Sequence, residues 1–312
     1  MSVDIYFAAN PDLWPDYATP LRDALREAGV EAELLETPPR DPAAVDYIIY
    51  SPDGVIEDFS PYTGCKAVLN LWAGVEKIVN NPTLTQPLCR MVDYGLTEGM
   101  VEYVTGHVLR YHLGLDALLA AQNGTWNQEP PPLARDRKVA VLGLGALGRA
   151  CADALARLNF NVTGWSRTPR DQSQITCHAG ECGLVQTLTE AEILVLLLPH
   201  TPLTESLLNA ERLAQLPRGA VVINPGRGAL IDDEALIAAL DSGHVAHATL
   251  DVFRTEPLPA AHPFWAHPRV TVTPHIAAET RPASAARVIA QNILRGETGL
   301  PFLHQVDPGQ GY

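Results

Sequence analysis

Short apolar runs rich in β-branched residues alternate along the chain with stretches whose apolar positions recur every three to four residues. That alternation predicts α/β units wound around parallel sheets. The pattern opens with a strand over 3–8 and a helix over 14–28 that stops at Gly29. It continues with strands over 31–35, 46–50 and 66–71, separated by turns such as the proline-containing 37–42. From 98 to 122 there is no proline and the helical spacing runs through Gly106 and Gly114, which predicts one long helix that bridges domains or packs on a partner chain. A polar segment, 123–137, with three consecutive prolines at 130–132, separates this helix from a second unit. That unit reads as strand 139–142, helix 146–158, strands 161–165 and 193–198, helix 210–215, strand 221–223, helix 233–242, and strands 248–251 and 270–272. The predicted fold is α/β, with two doubly wound parallel-sheet domains of Rossmann-like or flavodoxin-like type and a site expected in the cleft between them.

Length supports two domains, since 312 residues at roughly 150 per domain is enough for two separate cores. A hydrophobic share of 46% with 19% charged residues describes an ordinary globular protein and excludes disorder as its main state. Lys and Arg total 22 against 36 for Asp and Glu, a formal charge of −14 that repels nucleic-acid phosphate and anionic lipid. A small anionic ligand therefore needs a local basic pocket. The five cysteines, at 65, 89, 151, 177 and 182, are scattered and odd in number, so they read as reduced thiols rather than a disulfide framework. Cys177 and Cys182, with His178 beside the first, lack a second pair at metal-binding spacing, so no metal is expected. The start of the chain carries Asp4 and has no basic segment followed by a long apolar run, and the longest apolar block, 193–199, is too short to span a bilayer. A cytoplasmic protein with no membrane or nucleic-acid partner is expected.

Gly143, Gly145 and Gly148 stand in GxGxxG spacing, with Ala146 and Leu147 between the last two, after one predicted strand and at the opening of a predicted helix. The first glycine permits a tight turn, the second lets backbone N–H groups approach a pyrophosphate, and the third allows close packing of helix on strand. The helix N-terminus then favours the anion. Three turn or packing glycines without a ligand are the alternative. The next strand ends GWSRTPR, where Ser166 follows Trp165 in the place of the acidic residue that would bond an NAD ribose. Arg167, Thr168 and Arg170 follow and suit the 2′-phosphate of NADP. An ordinary solvated loop is the alternative for the arginines.

Three motifs end strands of the same unit: NPGRG at 224–228, LDVFRTEPLP at 250–259 and VTPHIA at 272–277. Ligands of open α/β sheets sit beyond the carboxyl ends of strands, so Arg227, Glu256 and His275 can converge on one crevice. Taken singly, they also read as a turn residue, a surface charge and a satisfied buried histidine.

Together with LLLPHTPLT at 196–204, NPGRGALIDDEAL, GHVAHATLDVFRTEPLP and HPRVTVTPHIA, these motifs resemble the D-isomer-specific 2-hydroxyacid dehydrogenase family over most of the chain. LWAGVEKIV at 71–79, the WSR loop and the VDPGQGY ending resemble its glyoxylate/hydroxypyruvate reductase branch. The resemblance implies NADPH-dependent reduction of small 2-oxo acids, glyoxylate and hydroxypyruvate foremost, by a homodimer of two-domain subunits. It implies a discontinuous substrate-binding domain, 1–97 with 284–312, around an NADP-binding Rossmann domain, 98–283. It casts His275 as general acid, Glu256 as the carboxylate that holds its ring and favours its protonated form, and Arg227 as the grip on the substrate carboxylate. Because Glu256 is not Gln, the formate dehydrogenase branch is disfavoured. Trp72, Ala73 and Gly74 are implied substrate contacts, with Glu76 where the family usually carries Asp, and Tyr50 and Arg90 are further positions of interest with packing or surface alternatives. Leu198, Pro199, Thr204, Pro225, Gly226, Asp251, His275 and Ala277 complete the implied cofactor contacts. His107 and Tyr111, on one face of the 98–122 helix, read as packing rather than a ligand cluster. Reduction of larger 2-oxo acids such as phenylpyruvate, and a cofactor-sensing corepressor-like role, remain alternatives.

Overall fold

A computed structural model describes residues 2–172 and 174–307. The last five residues of the VDPGQGY ending, 308–312, lie outside the described residues. The chain forms two compact units, one of 1–96 with 279–312 and one of 97–278.

In the first unit, β1 (Val3–Phe7), β2 (Ala32–Leu35), β3 (Tyr47–Tyr50), β4 (Ala67–Asn70) and β5 (Leu88–Cys89) form a five-stranded sheet in the order β2-β1-β3-β4-β5. Every pairing is parallel. Helix α1 (Trp14–Glu27) connects β1 to β2. Because side chains alternate across a strand, Val3, Ile5 and Phe7 enter one core with Leu21 and Leu25 of α1, while Tyr6 and Ala8 enter another with Ile48, Phe59 and Val68. Both faces are covered, which explains why these strands read as continuous apolar runs.

Helix α2 (Tyr94–His112) is followed by α3 (Leu115–Ala120). The single helix predicted over 98–122 is thus broken, because Gly114 takes the left-handed conformation at φ +66 and starts a new, shorter helix. Met100, Val104 and Val108 of α2 pack in the core of the second unit. His107 and Tyr111 pack there too, His107 against the ring of Tyr103 and Tyr111 against His247.

The second unit comprises β6 (Lys138–Leu142), α4 (Ala146–Arg157), β7 (Asn161–Ser166), β8 (Thr176–Ala179), α5 (Gly180–Glu190), β9 (Ile193–Leu196), α6 (Ala210–Gln215), β10 (Ala220–Asn224), α7 (Asp233–Asp241), β11 (Val245–Leu250) and β12 (Val270–Val272). Its seven-stranded sheet runs β12-β11-β10-β9-β6-β7-β8, again all parallel. From β6 the chain winds outward through β7 to β8, then returns to β9 and winds the other way, so the topological switch lies between β6 and β9. Helix α8 (Pro282–Glu297) belongs to the first unit, where Ala286, Ile289 and Ile293 pack with α1.

Four elements were not predicted from the pattern: β5, β8, α5 and α8. Two residues are too few for β5 to show a period, and the half-buried TCHA of β8 carries only weak apolar character. Helix α5 has weak amphipathic character, and α8 buries mainly alanines and isoleucines. Among the cysteines, Cys65, Cys89 and Cys151 are buried and free, and burial pushes each thiol up to about 12, which makes them inert packing groups. Among the described residues no helix is long and apolar enough to cross a membrane.

Candidate active site

Parallel strands all end on the same edge of their sheet. In the second unit that edge carries, in spatial order, the segments after β12, β11, β10, β9, β6 and β7. They hold His275, Glu256, Arg227, the Leu198–Thr204 stretch, the glycine loop and the Ser166–Arg170 loop respectively. Residues far apart in sequence are thus laid side by side by strand order alone.

His275 is held with unusual care. Its backbone sits at φ +55, a conformation non-glycine residues rarely adopt. Its N–H donates to the Asp251 carbonyl at 2.9 Å. The Asp251 carboxylate accepts from the Ile276 N–H and the Ala277 N–H, each at 2.9 Å, and from the Thr273 hydroxyl at 2.6 Å. Asp251 is 0% exposed, so its carboxylate is committed to shaping this turn. The His275 side chain itself is 51% exposed, and its Nδ1 lies 2.7 Å from Glu256 Oε2. The other carboxylate oxygen, Oε1, accepts from the Phe253 N–H at 2.8 Å. With Nδ1 engaged by the carboxylate, Nε2 is the ring's remaining nitrogen, and an imidazole held in this way can give or accept a proton there.

Arg227 follows β10, whose last residue, Asn224, is buried. The Asn224 side chain accepts from the Gly226 N–H at 3.1 Å and donates to the Arg227 carbonyl at 2.9 Å, an Asx-type turn that fixes where the arginine leaves the strand. Pro225 and Gly226 are buried within it.

The three glycines of the β6–α4 loop differ in what they require. Gly143 has φ +106, and a Cβ there would lie 2.4 Å from the Leu197 carbonyl oxygen. A Cβ on Gly148 would lie 1.7 Å from the Gly143 carbonyl oxygen. Both glycines are demanded by the protein itself. Gly145 is exposed, has a φ of −72 that any residue adopts, and would place a Cβ with nothing within 4 Å. Among the described residues no atom crowds that position; as the N-cap of α4 it favours a glycine, and a pyrophosphate resting on that N-terminus would require one. Ala146 is exposed and Leu147 half-buried beside it. Trp165 is buried, with its indole N–H donating to the Gly180 carbonyl at 2.9 Å, so its side chain serves the core. The Ser166 hydroxyl donates to the Thr168 carbonyl at 2.7 Å, turning the loop on which Arg167, Thr168 and Arg170 are exposed. On the neighbouring segment, Leu198 is buried, and the Thr204 hydroxyl accepts from the Thr201 N–H and donates to the Pro199 carbonyl at 2.7 Å. Ala277 is buried in the turn held by Asp251.

In the first unit, the loop after β4 carries Trp72, Ala73 and Gly74. Asn70 Nδ2 donates to the carbonyls of Trp72 at 2.8 Å and Gly74 at 3.0 Å. Because trans peptides are planar, the N–H groups of Ala73 and Val75 point away from Asn70. Arg90 backs this region in the chain: its N–H donates to the His304 carbonyl, and burial lowers the guanidinium from its ordinary value while Glu76 opposes that shift. Tyr50 is buried with its ring edge-on to Phe59, which is a packing role.

Residues 107–277 match the family model described as D-isomer specific 2-hydroxyacid dehydrogenase, NAD binding domain. The chain belongs to the D-isomer-specific 2-hydroxyacid dehydrogenase family. It is therefore an oxidoreductase. This dehydrogenase chain is 42% identical over 255 residues to the glyoxylate/hydroxypyruvate reductase A of Yersinia enterocolitica, a match spanning 79% of this chain and 82% of that protein. A D-isomer specific 2-hydroxyacid dehydrogenase from Xanthobacter autotrophicus, solved in complex with NADPH and MES, is 41% identical with a TM-score of 0.90, covering 100% of this chain and 99% of that one. The NADPH-dependent glyoxylate/hydroxypyruvate reductase of Sinorhizobium meliloti, solved with NADP and sulfate, is 34% identical with a TM-score of 0.85, covering 100% of each chain.

Motif reading missed Asn224, Thr273 and the structural part of Asp251. An Asn closing an apolar strand before Pro-Gly was the available signal for the first; the other two had none. The glycine geometry makes a direct prediction about the dehydrogenase. Gly145→Ala weakens NADPH binding on the order of tenfold while leaving the melting temperature within about 2 °C of the parent. Gly148→Ala, which adds the same methyl, lowers melting by roughly 2–10 °C through overpacking. Fluorescence titration and thermal melts check both, and an unchanged NADPH affinity in Gly145→Ala overturns the ligand reading of that glycine.

Proposed function

We propose that this dehydrogenase reduces small 2-oxo acids with NADPH, glyoxylate to glycolate and hydroxypyruvate to D-glycerate. The observation that carries the reading is the His275–Glu256 pair, 2.7 Å apart, on the same sheet edge as Arg227 and a glycine loop whose middle glycine is exposed and uncrowded by any described neighbour. The names and ligands of the relatives support the substrates and the cofactor.

When bound, NADPH supplies the hydride that the carbonyl carbon receives. The glycine loop would hold its pyrophosphate, and Ser166, Arg167 and Arg170 its 2′-phosphate, where an acidic residue in place of Ser166 would repel that group. Leu198, Pro199, Thr204, Pro225, Gly226, Asp251 and Ala277 are the further proposed contacts. Arg227 binds the substrate carboxylate and, as a planar fork, fixes its orientation. The N–H groups of the Trp72–Ala73–Gly74 loop are proposed as further substrate contacts, supplied by the first unit. As the carbonyl oxygen gains negative charge, His275 gives it a proton from Nε2. Glu256 holds the ring through Nδ1 and so fixes how Nε2 meets the carbonyl oxygen.

The functional unit is proposed to be a homodimer. Leu115, Leu118 and Leu119 on α3, with Trp126 at 91% exposure and Leu133, form an apolar succession that a second copy would cover.

Four outcomes are expected. The purified protein oxidises NADPH faster than NADH in the presence of glyoxylate or hydroxypyruvate, followed by absorbance. The Arg167→Ala, Arg170→Ala double variant raises the KM for NADPH on the order of tenfold while sparing that for NADH. NADPH binding without turnover across a panel of 2-oxo acids would instead favour a cofactor-sensing protein, and faster turnover of phenylpyruvate a larger substrate. Next, Glu256→Gln removes the anion that stands 2.7 Å from the ring, and the alkaline limb of the reduction profile moves to lower pH; an unchanged limb removes that role from Glu256. Lastly, Leu118→Lys with Leu119→Lys yields a monomer in gel filtration, and a parent protein already monomeric at low concentration with full activity contradicts the dimer.

A further inference from the structure

Residues 253–257, which carry Glu256, have neither helix nor strand, so something outside regular structure must hold them. Arg254 leaves this segment and hydrogen-bonds to two others. Its Nη1 donates to Glu205 Oε1 at 2.5 Å. Its Nη2 donates to the Ser206 hydroxyl at 2.8 Å, the Ala229 carbonyl at 3.2 Å and the Ile231 carbonyl at 2.6 Å, and Nε also reaches the Ile231 carbonyl at 3.2 Å. Asp233 stands farther off, with Oδ1 at 4.0 Å from Nε.

Each of those partners borders a working segment. Glu205 and Ser206 follow Thr204 directly. Ser206 has φ +47, and its N–H also donates to the Ala229 carbonyl, so the guanidinium braces a backbone that is itself strained. Ala229 and Ile231 belong to the turn that begins just after Arg227. Glu205 is gripped from its far side by His200, whose Nε2 lies 2.6 Å from Oε2, which holds the acceptor in place for Arg254. The charged and titratable groups around the guanidinium are thus Glu205 and Asp233 directly, with His200 and His262 behind them.

We propose that Arg254 is a positioning residue for the acid–base pair, a clamp that fixes the Glu256 loop against the segments following Thr204 and Arg227. The proposal rests on the reading of His275 and Glu256 given above. A guanidinium suits this task because it offers five N–H donors in one rigid plane, and a lysine in its place offers a point charge that answers Glu205 but cannot fork to two carbonyls and a hydroxyl. Its action is indirect: it touches neither His275 nor Glu256, and it limits where the Glu256 carboxylate can stand.

The test compares Arg254→Ala, Arg254→Lys, Glu256→Gln and the Arg254→Ala, Glu256→Gln double variant in full pH profiles of NADPH-dependent reduction, with melting temperatures measured alongside. Expected for Arg254→Ala is a fall in kcat on the order of 10- to 100-fold, with the alkaline limb moved to lower pH as in Glu256→Gln. In the double variant the limb stands where Glu256→Gln alone puts it, because the clamp works through that carboxylate. Arg254→Lys recovers only part of the loss. If Glu256→Gln shifts the limb and Arg254→Ala lowers melting without shifting it, the arginine is merely structural and the proposal is overturned. If Glu256→Gln itself shifts nothing, the acid–base reading fails first and independently of Arg254.

Discussion

A carboxylate that is fully enclosed must be met by hydrogen-bond donors or it destabilises the fold. Asp251 meets this requirement with two backbone N–H groups and a hydroxyl, all from the turn 273–277, while its own carbonyl accepts the His275 N–H. The exchange ties the end of β11 to the end of β12 and holds His275 in a backbone conformation it would otherwise leave. The exposed imidazole, its carboxylate partner and the strained turn all depend on this one buried acid.

The constraint is met because the sheet is parallel and covered on both faces. Strands of one direction bring their carboxyl ends to a single edge, so Arg227, Glu256 and His275 come from adjacent strands β10, β11 and β12 without local sequence contact. The reversal of winding between β6 and β9 places the glycine loop beside the 197–204 segment, as the Leu197 carbonyl packed against Gly143 shows. Rigid strands then carry the chemistry on their short outlets, and side chains such as Asn224 and Asp251 decide how each outlet turns. The protein's negative charge sharpens this arrangement, since cations held at such outlets are where an anion can be received.

Much of this was legible in the chain itself. Strand and helix periods gave the parallel α/β class, because a two-faced core leaves continuous apolar runs. The glycine spacing marked the β6–α4 turn, and the three motifs marked the strand ends. Where the reading failed, the local signal was weak or misleading: residues 98–122 have helical spacing throughout, yet Gly114 turns left-handed; the edge strand β8 lacks a pronounced apolar pattern; and α8, though amphipathic, buries a face built largely of alanines, whose small apolar surface gives little signal.

The sequence by itself determined the class of fold, the family and the kinds of side chain available for hydride-transfer chemistry, since period, spacing and motif are properties of neighbouring residues. Only the tertiary structure decided what each of those side chains touches. Gly145 could be separated from Gly143 and Gly148 only by asking what a Cβ would meet. Asp251 proved to be a buried brace, Trp165 a core residue and Arg254 a junction of three segments. Each of those roles consists of contacts between residues some 15 to about 50 positions apart, which no local pattern encodes and which arise only when parallel strands lay their ends side by side.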